Sequence, residues 1–217
     1  MKPSKFLLAL AVLLTPAVAA AQPGYGGGYG GGGGGGGYYN QPQPRVPGGF
    51  HDRTGRLAWG GSLGLGGMSD RGGDISCANC DYNPLAGEGE FHIGGMLSPR
   101  FALLFEAQVN VQTLQLGADA SSDVMLTQGA AMVAGQYWLT PQLWIKGGVG
   151  VAHLSLDDQY NTQAIDNGTA LLGAVGYEVL SARYFSVDLQ GRLINGAYKG
   201  IDNNITAGSI GVGINWY

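Results

Sequence analysis

The sequence predicts an all-β protein: an eight-stranded antiparallel transmembrane β-barrel, preceded by a signal peptide and a Gly-rich disordered segment. Three observations carry that prediction. Apolar and polar residues alternate through eight successive segments, and the connections between those segments are short and long in turn. Charge is scarce, at 12% of 217 residues, where a soluble domain usually carries about a quarter. Yet nowhere do the ~18 consecutive apolar residues of a membrane helix occur. Barrel strands hide their apolar residues from such a window by alternating them. A net charge of −4 and a pI near 5.2 argue against nucleic acid as a partner.

The chain opens with Lys2 and Lys5, a short apolar run from Phe6 to Leu14, and the small residues Ala19, Ala20 and Ala21. That three-part pattern predicts a signal peptide over residues 1–21, with the mature chain starting at Gln22. Residues 22–55 are rich in Gly, Tyr and Pro. Glycine loses the most backbone entropy on folding, and no apolar periodicity offsets that loss here. A disordered tether is predicted. The barrel is predicted over residues 56–217.

Its strands are expected at 57–68, 88–98, 101–114, 124–139, 143–156, 169–181, 184–195 and 204–217. Each is long enough for a tilted strand, which crosses a bilayer in about 9–11 residues. Ser98-Pro99-Arg100, Thr140-Pro141-Gln142 and Ser181-Ala182-Arg183 read as tight turns. Residues 69–87, 115–123, 157–168 and 196–203 read as longer polar loops. Short periplasmic turns and long outer loops are the asymmetry of a membrane barrel.

Parity tests the assignment. In the third segment Phe101, Leu103, Phe105, Ala107 and Val109 oppose Leu104, Glu106, Gln108 and Asn110. In the seventh, Phe185, Val187, Leu189 and Leu193 oppose Ser186, Asp188, Gln190 and Arg192. Glu88, Glu90, Glu106, Lys146, Glu178, Asp188 and Arg192 all fall opposite the apolar face. A Lys or Arg turned to lipid at mid-bilayer would cost about 2–4 kcal/mol. The last segment, with Ile210, Val212, Ile214 and Trp216 on one face, is expected to close the barrel against the first, leaving no hydrogen-bonding edge in hydrocarbon. Trp59, Phe101, Tyr137, Tyr177 and Trp216 near strand ends suit an aromatic girdle.

With these strands, loops and terminal aromatics, residues 57–217 resemble the small eight-stranded outer-membrane barrels of Gram-negative bacteria, the group around the transmembrane domain of outer membrane protein A. The resemblance implies a place in the outer membrane, contact with its lipid, and reading of the C-terminal strand by the barrel-assembly machinery. Trp216 holds the outward parity and Tyr217 the inward one, so either is a candidate for the terminal-aromatic role.

The inward charges Glu106, Lys146, Glu178, Asp188 and Arg192 are the candidate site, expected to form one ion-pair network in a bore only wide enough for side chains. Three roles compete. The first is a structural or surface-interacting barrel that is not an enzyme; the second is a narrow ion or small-solute pore, which the resemblance also suggests. The third is lipid A modification, because His153 and Ser155 lie two apart, as in the H-x-S pair of barrel deacylases, with Asp166 as the orienting acid. Cys77 and Cys80, in Cys77-Ala78-Asn79-Cys80, are expected to form a loop disulfide in an oxidising compartment. No zinc or other metal ligand set accompanies them. No cofactor and a monomeric state are expected. Glu88, Glu90 and His92 toward the outer mouth offer a carboxyl cluster for a cation.

Overall fold

The computed structural model describes residues 48–70, 73–74, 80–116, 123–157, 162–200 and 203–217. Within these, eight long strands follow one another: β1 (Leu57–Asp70), β2 (Cys80–Ser98), β3 (Phe101–Leu116), β4 (Asp123–Trp138), β5 (Leu143–Asp157), β6 (Thr162–Ser181), β7 (Phe185–Tyr198) and β8 (Asn203–Trp216). Each pairs antiparallel with the next, and β8 returns to pair with β1 from Trp59↔Trp216 to Asp70↔Ile205. The ring is closed. A two-residue segment, Gly73–Asp74, folds back on the end of β1 outside it.

The ladder fixes the stagger. From Gly60 the register runs through His92, Glu106, Met132, Gly150, Ala170, Gly196 and Ile205, and meets β1 again at Asp70. One circuit therefore climbs ten residues, which tilts eight strands by roughly 35–45° and leaves a bore that side chains fill.

Alternation places the faces as the sequence predicts. Leu63, Val151, Leu193 and Ile210 stand outward with 62–76% of their surface exposed. Such an apolar exterior is stable only against lipid. Aromatic residues edge it at the end carrying the tight turns: Trp59 stacks on Trp216 with centroids 4.5 Å apart, and Tyr177 donates to Gln142 Oε1 at 2.8 Å.

The bore holds two apolar clusters with charge between and beside them. Toward the outer end lie Met68, Met132, Leu154, Ile194 and Tyr198; toward the turn end lie Met96, Leu104, Trp138 and Trp144. Opposite Trp144 in the ladder is Gly176, where a Cβ would overlap the indole. Seating Trp144 inside the bore therefore requires a residue without a side chain at position 176.

Two boundaries differ from expectation by more than three residues. β2 starts at Cys80 and β6 at Thr162, so much of residues 69–87 and 157–168 is strand, not loop. Ladder hydrogen bonds hold the polar ends together beyond the lipid, where no apolar face is required. Residues 48–56, most of which composition assigned to the tether, dock on the turn end of the barrel. Phe50 and Arg53 are buried there, and Gly55 N donates to Met96 O at 2.8 Å. The signal peptide, the rest of the tether and the Cys77–Cys80 disulfide lie outside the described residues.

Candidate functional site

The interior charges form two groups. The central one gathers Glu88, Glu90 and His92 from β2, Glu106 from β3, Lys146 from β5 and Arg192 from β7. Inward parity on four strands brings them to one level of the bore. Lys146 Nζ donates to Glu106 Oε2 at 3.0 Å and lies 3.9 Å from Glu90 Oε1. Arg192 pairs with Glu106 through Nη2, with Glu88 at 3.3 Å and with Glu90 at 3.7 Å, and donates to Gln108 Oε1 at 3.0 Å. Ser62 and Ser209 donate to Glu90 and Glu88, and His92 Nδ1 meets Glu90 Oε1 at 2.6 Å. Three carboxylates thus share two cations, a histidine and two hydroxyls. Glu88 and Glu90 are committed to these partners, which leaves less room for the cation that their position toward the outer mouth invited.

The second group sits at the turn end. Glu178 receives Arg53 Nη1 at 3.2 Å, Arg53 Nη2 at 3.4 Å and Trp138 Nε1 at 2.8 Å. Arg53 also donates to Ala182 O at 2.8 Å, and its guanidinium lies 3.7 Å from the centre of the Tyr217 ring. Burial, and then the Glu178 charge, push the Tyr217 phenol well above its ordinary range, so it stays a neutral hydroxyl.

Sequence parity placed Glu106, Lys146, Glu178, Asp188 and Arg192 in a single ion-pair network. The structure joins Glu106, Lys146 and Arg192 and sets Glu178 apart with Arg53. Asp188 makes no ion pair within 4.0 Å among the described residues. It accepts from Asn215 at 2.7 Å, and Asn215, Ser186 and Tyr217 lead on by hydrogen bonds toward Glu178. Arg53 escaped the sequence reading because it precedes the first alternating segment. Its only local signal is that charge gathers at Asp52, Arg53 and Arg56 after a Gly-rich stretch.

The outer pair behaves differently from a dyad. His153 is exposed and its Nδ1 meets Asn167 Oδ1 at 2.8 Å. The ladder to β6 skips Ile165 between Leu154 and Ser155, and Ser155 is buried. Asp166 accepts from the backbone N–H groups of Asn167 and Gly200.

Closed ring, lipid-facing exterior and charged, side-chain-filled bore define the class: an integral membrane β-barrel of the small outer-membrane type, and with that architecture goes the bacterial outer membrane. No protein-family model matches the chain, and no curated protein matches its sequence. Among solved structures it is similar to Ail, the attachment invasion locus protein of Yersinia pestis, crystallised with the heparin analogue sucrose octasulfate. That match has 10% identity and a TM-score of 0.51, covering 74% of this chain and 99% of Ail. Neisserial surface protein A matches at 11% identity and a TM-score of 0.52, covering 74% and 95%. The likeness is one of fold.

Proposed function

We propose that the protein is a plugged outer-membrane barrel with a structural or surface-interacting role and no catalytic step. One observation carries the plug: Glu106 and Glu178 are wholly buried, and Arg192 only 2% exposed, although all three face the bore. Charges lining an open aqueous path would stay hydrated. Buried charges must instead be paired, and here they cross-link five strands and the segment before β1. The outer-membrane lipid is its solvent, and a single copy satisfies the closed ring. Trp216, outward and stacked, is the better candidate for reading by the barrel-assembly machinery, since Tyr217 is taken up inside. Refolded in a planar bilayer, the protein is expected to be silent. Steady openings by the unmodified chain would overturn the plug.

A pore reading draws support from Lys146, held between Glu106 at 3.0 Å and Glu90 at 3.9 Å. A change of partner there would move a charge across the bore. Under that reading Glu106→Gln, which removes one carboxylate from both Lys146 and Arg192, changes conductance; under the plug reading it changes stability alone. The lipid-modifying reading has least support, because His153 is taken up by Asn167.

A further inference from the structure

Arg56, just before β1, and Arg183, in the turn between β6 and β7, are drawn to the same ring. Their guanidinium carbons lie 5.0 and 5.4 Å from the centroid of Tyr184. Both distances run to one point, so the two cations are within ~10 Å of each other, about one Debye length at 0.1 M salt. Among the described residues no carboxylate comes within 4.0 Å of either, whereas buried Arg53 has one and buried Arg192 has three. Like charges at that spacing repel, and the repulsion grows where lipid lowers the local dielectric. An anion between them removes it.

The surroundings say which kind of anion. Tyr184 is 58% exposed and its carbonyl accepts from Tyr217 N at 2.8 Å, which pins the turn to the end of β8. Phe185 registers with Trp216, and Trp216 stacks on Trp59, so the exposed rings of β7 and β8 and the half-buried Trp59 of β1 lie beside the two arginines. This is the seam where the ring closes, at the periplasmic edge of the apolar band. The third arginine of this rim, Arg100, lies 4.1 Å from the Phe50 ring and also has no carboxylate within 4.0 Å among the described residues. Asp70, Asp157 and Asp166 stand toward the opposite end. Asp52 is an exposed carboxylate at this end, with one oxygen accepting from Thr54 N at 3.2 Å.

We propose that Arg56, Arg183 and Tyr184 bind the phosphate headgroup of an anionic phospholipid in the periplasmic leaflet, with its acyl chains along Trp59, Trp216 and Phe185. Guanidinium forks match phosphate oxygens, and the aromatic rings sit at headgroup depth. The proposal rests on the barrel spanning the membrane with its tight turns periplasmic.

The test uses the refolded full chain in vesicles of phosphatidylcholine, with or without phosphatidylglycerol. Heat-dependent gel mobility reports insertion first, so failure to insert counts against the membrane reading itself. Lipid retained on the protein is then counted by native mass spectrometry, with Trp fluorescence following the Trp59–Trp216 stack. The expected result is at least tenfold preferential retention of phosphatidylglycerol, lost in Arg56→Gln/Arg183→Gln and kept in Arg100→Gln. Equal retention of both lipids by an inserted barrel, or unchanged preference in the double variant, overturns the site. Displacement of the lipid by millimolar inorganic phosphate overturns its assignment to phospholipid.

Discussion

The central and turn-end charge groups solve the same problem with different means. In the centre, three carboxylates, two cations and a histidine from four strands hold one another, and every member comes from the barrel wall. At the turn end a single carboxylate, Glu178, is satisfied by an indole N–H and by a guanidinium supplied from outside the wall. The first group needs only inward-facing strand residues that the stagger brings to one height. The second needs a segment that obeys no strand period to fold across the end of the bore. A narrow barrel can thus be cross-linked by its own strands at mid-height, while its mouth depends on a piece added to them.

That contrast breaks most sharply at Arg192. Arg192→Met strips Glu88 and Glu106 of a shared partner in the deepest part of the bore, and breaking a buried pair costs about 3–5 kcal/mol. Urea unfolding in vesicles should show that loss; a change below about 1 kcal/mol would mean that the central group is not held by its ion pairs. Arg53→Met leaves Glu178 still hydrogen-bonded by Trp138 Nε1 and Tyr217 Oη. The expected loss is smaller, about 1–3 kcal/mol. Combined with Glu178→Gln in a double-mutant cycle, it should show coupling of roughly 0.5–3 kcal/mol, while Arg53→Met and Arg192→Met should add independently. Trp138→Phe removes one hydrogen bond to the same carboxylate and keeps an aromatic ring, so about 1–2 kcal/mol is expected in the same assay. If it matched Arg192→Met, the two groups would not differ as described.

The wall was legible because lipid enforces period two on every strand. Leu63 and Ile210 outside and Glu106 and Arg192 inside follow from that constraint alone. Parity fixes which way a side chain points but says nothing about its height, and height decides pairing in a ring that climbs ten residues per turn. Glu178 and Asp188 therefore read as companions of Lys146, when the stagger delivers one to Arg53 and the other to Asn215. The outer ends of β2 and β6 escaped for a related reason: beyond the lipid their ladders continue through residues with no apolar face to reveal them. Ser155 misled because it is buried beside an irregularity in β6, whereas His153, two residues away, is exposed. Arg53 lay where no period existed to be read.

Arg53 also fixes an order of events. Its partners are Glu178 and Ser181 in β6, Ala182 just after it and Tyr217 after β8, the carboxylate 125 residues further along the chain. The Tyr217 face of that receptor is missing from a chain whose last strand is still unpaired. The segment before β1 is made ahead of every strand, yet its full set of contacts needs the closed cylinder.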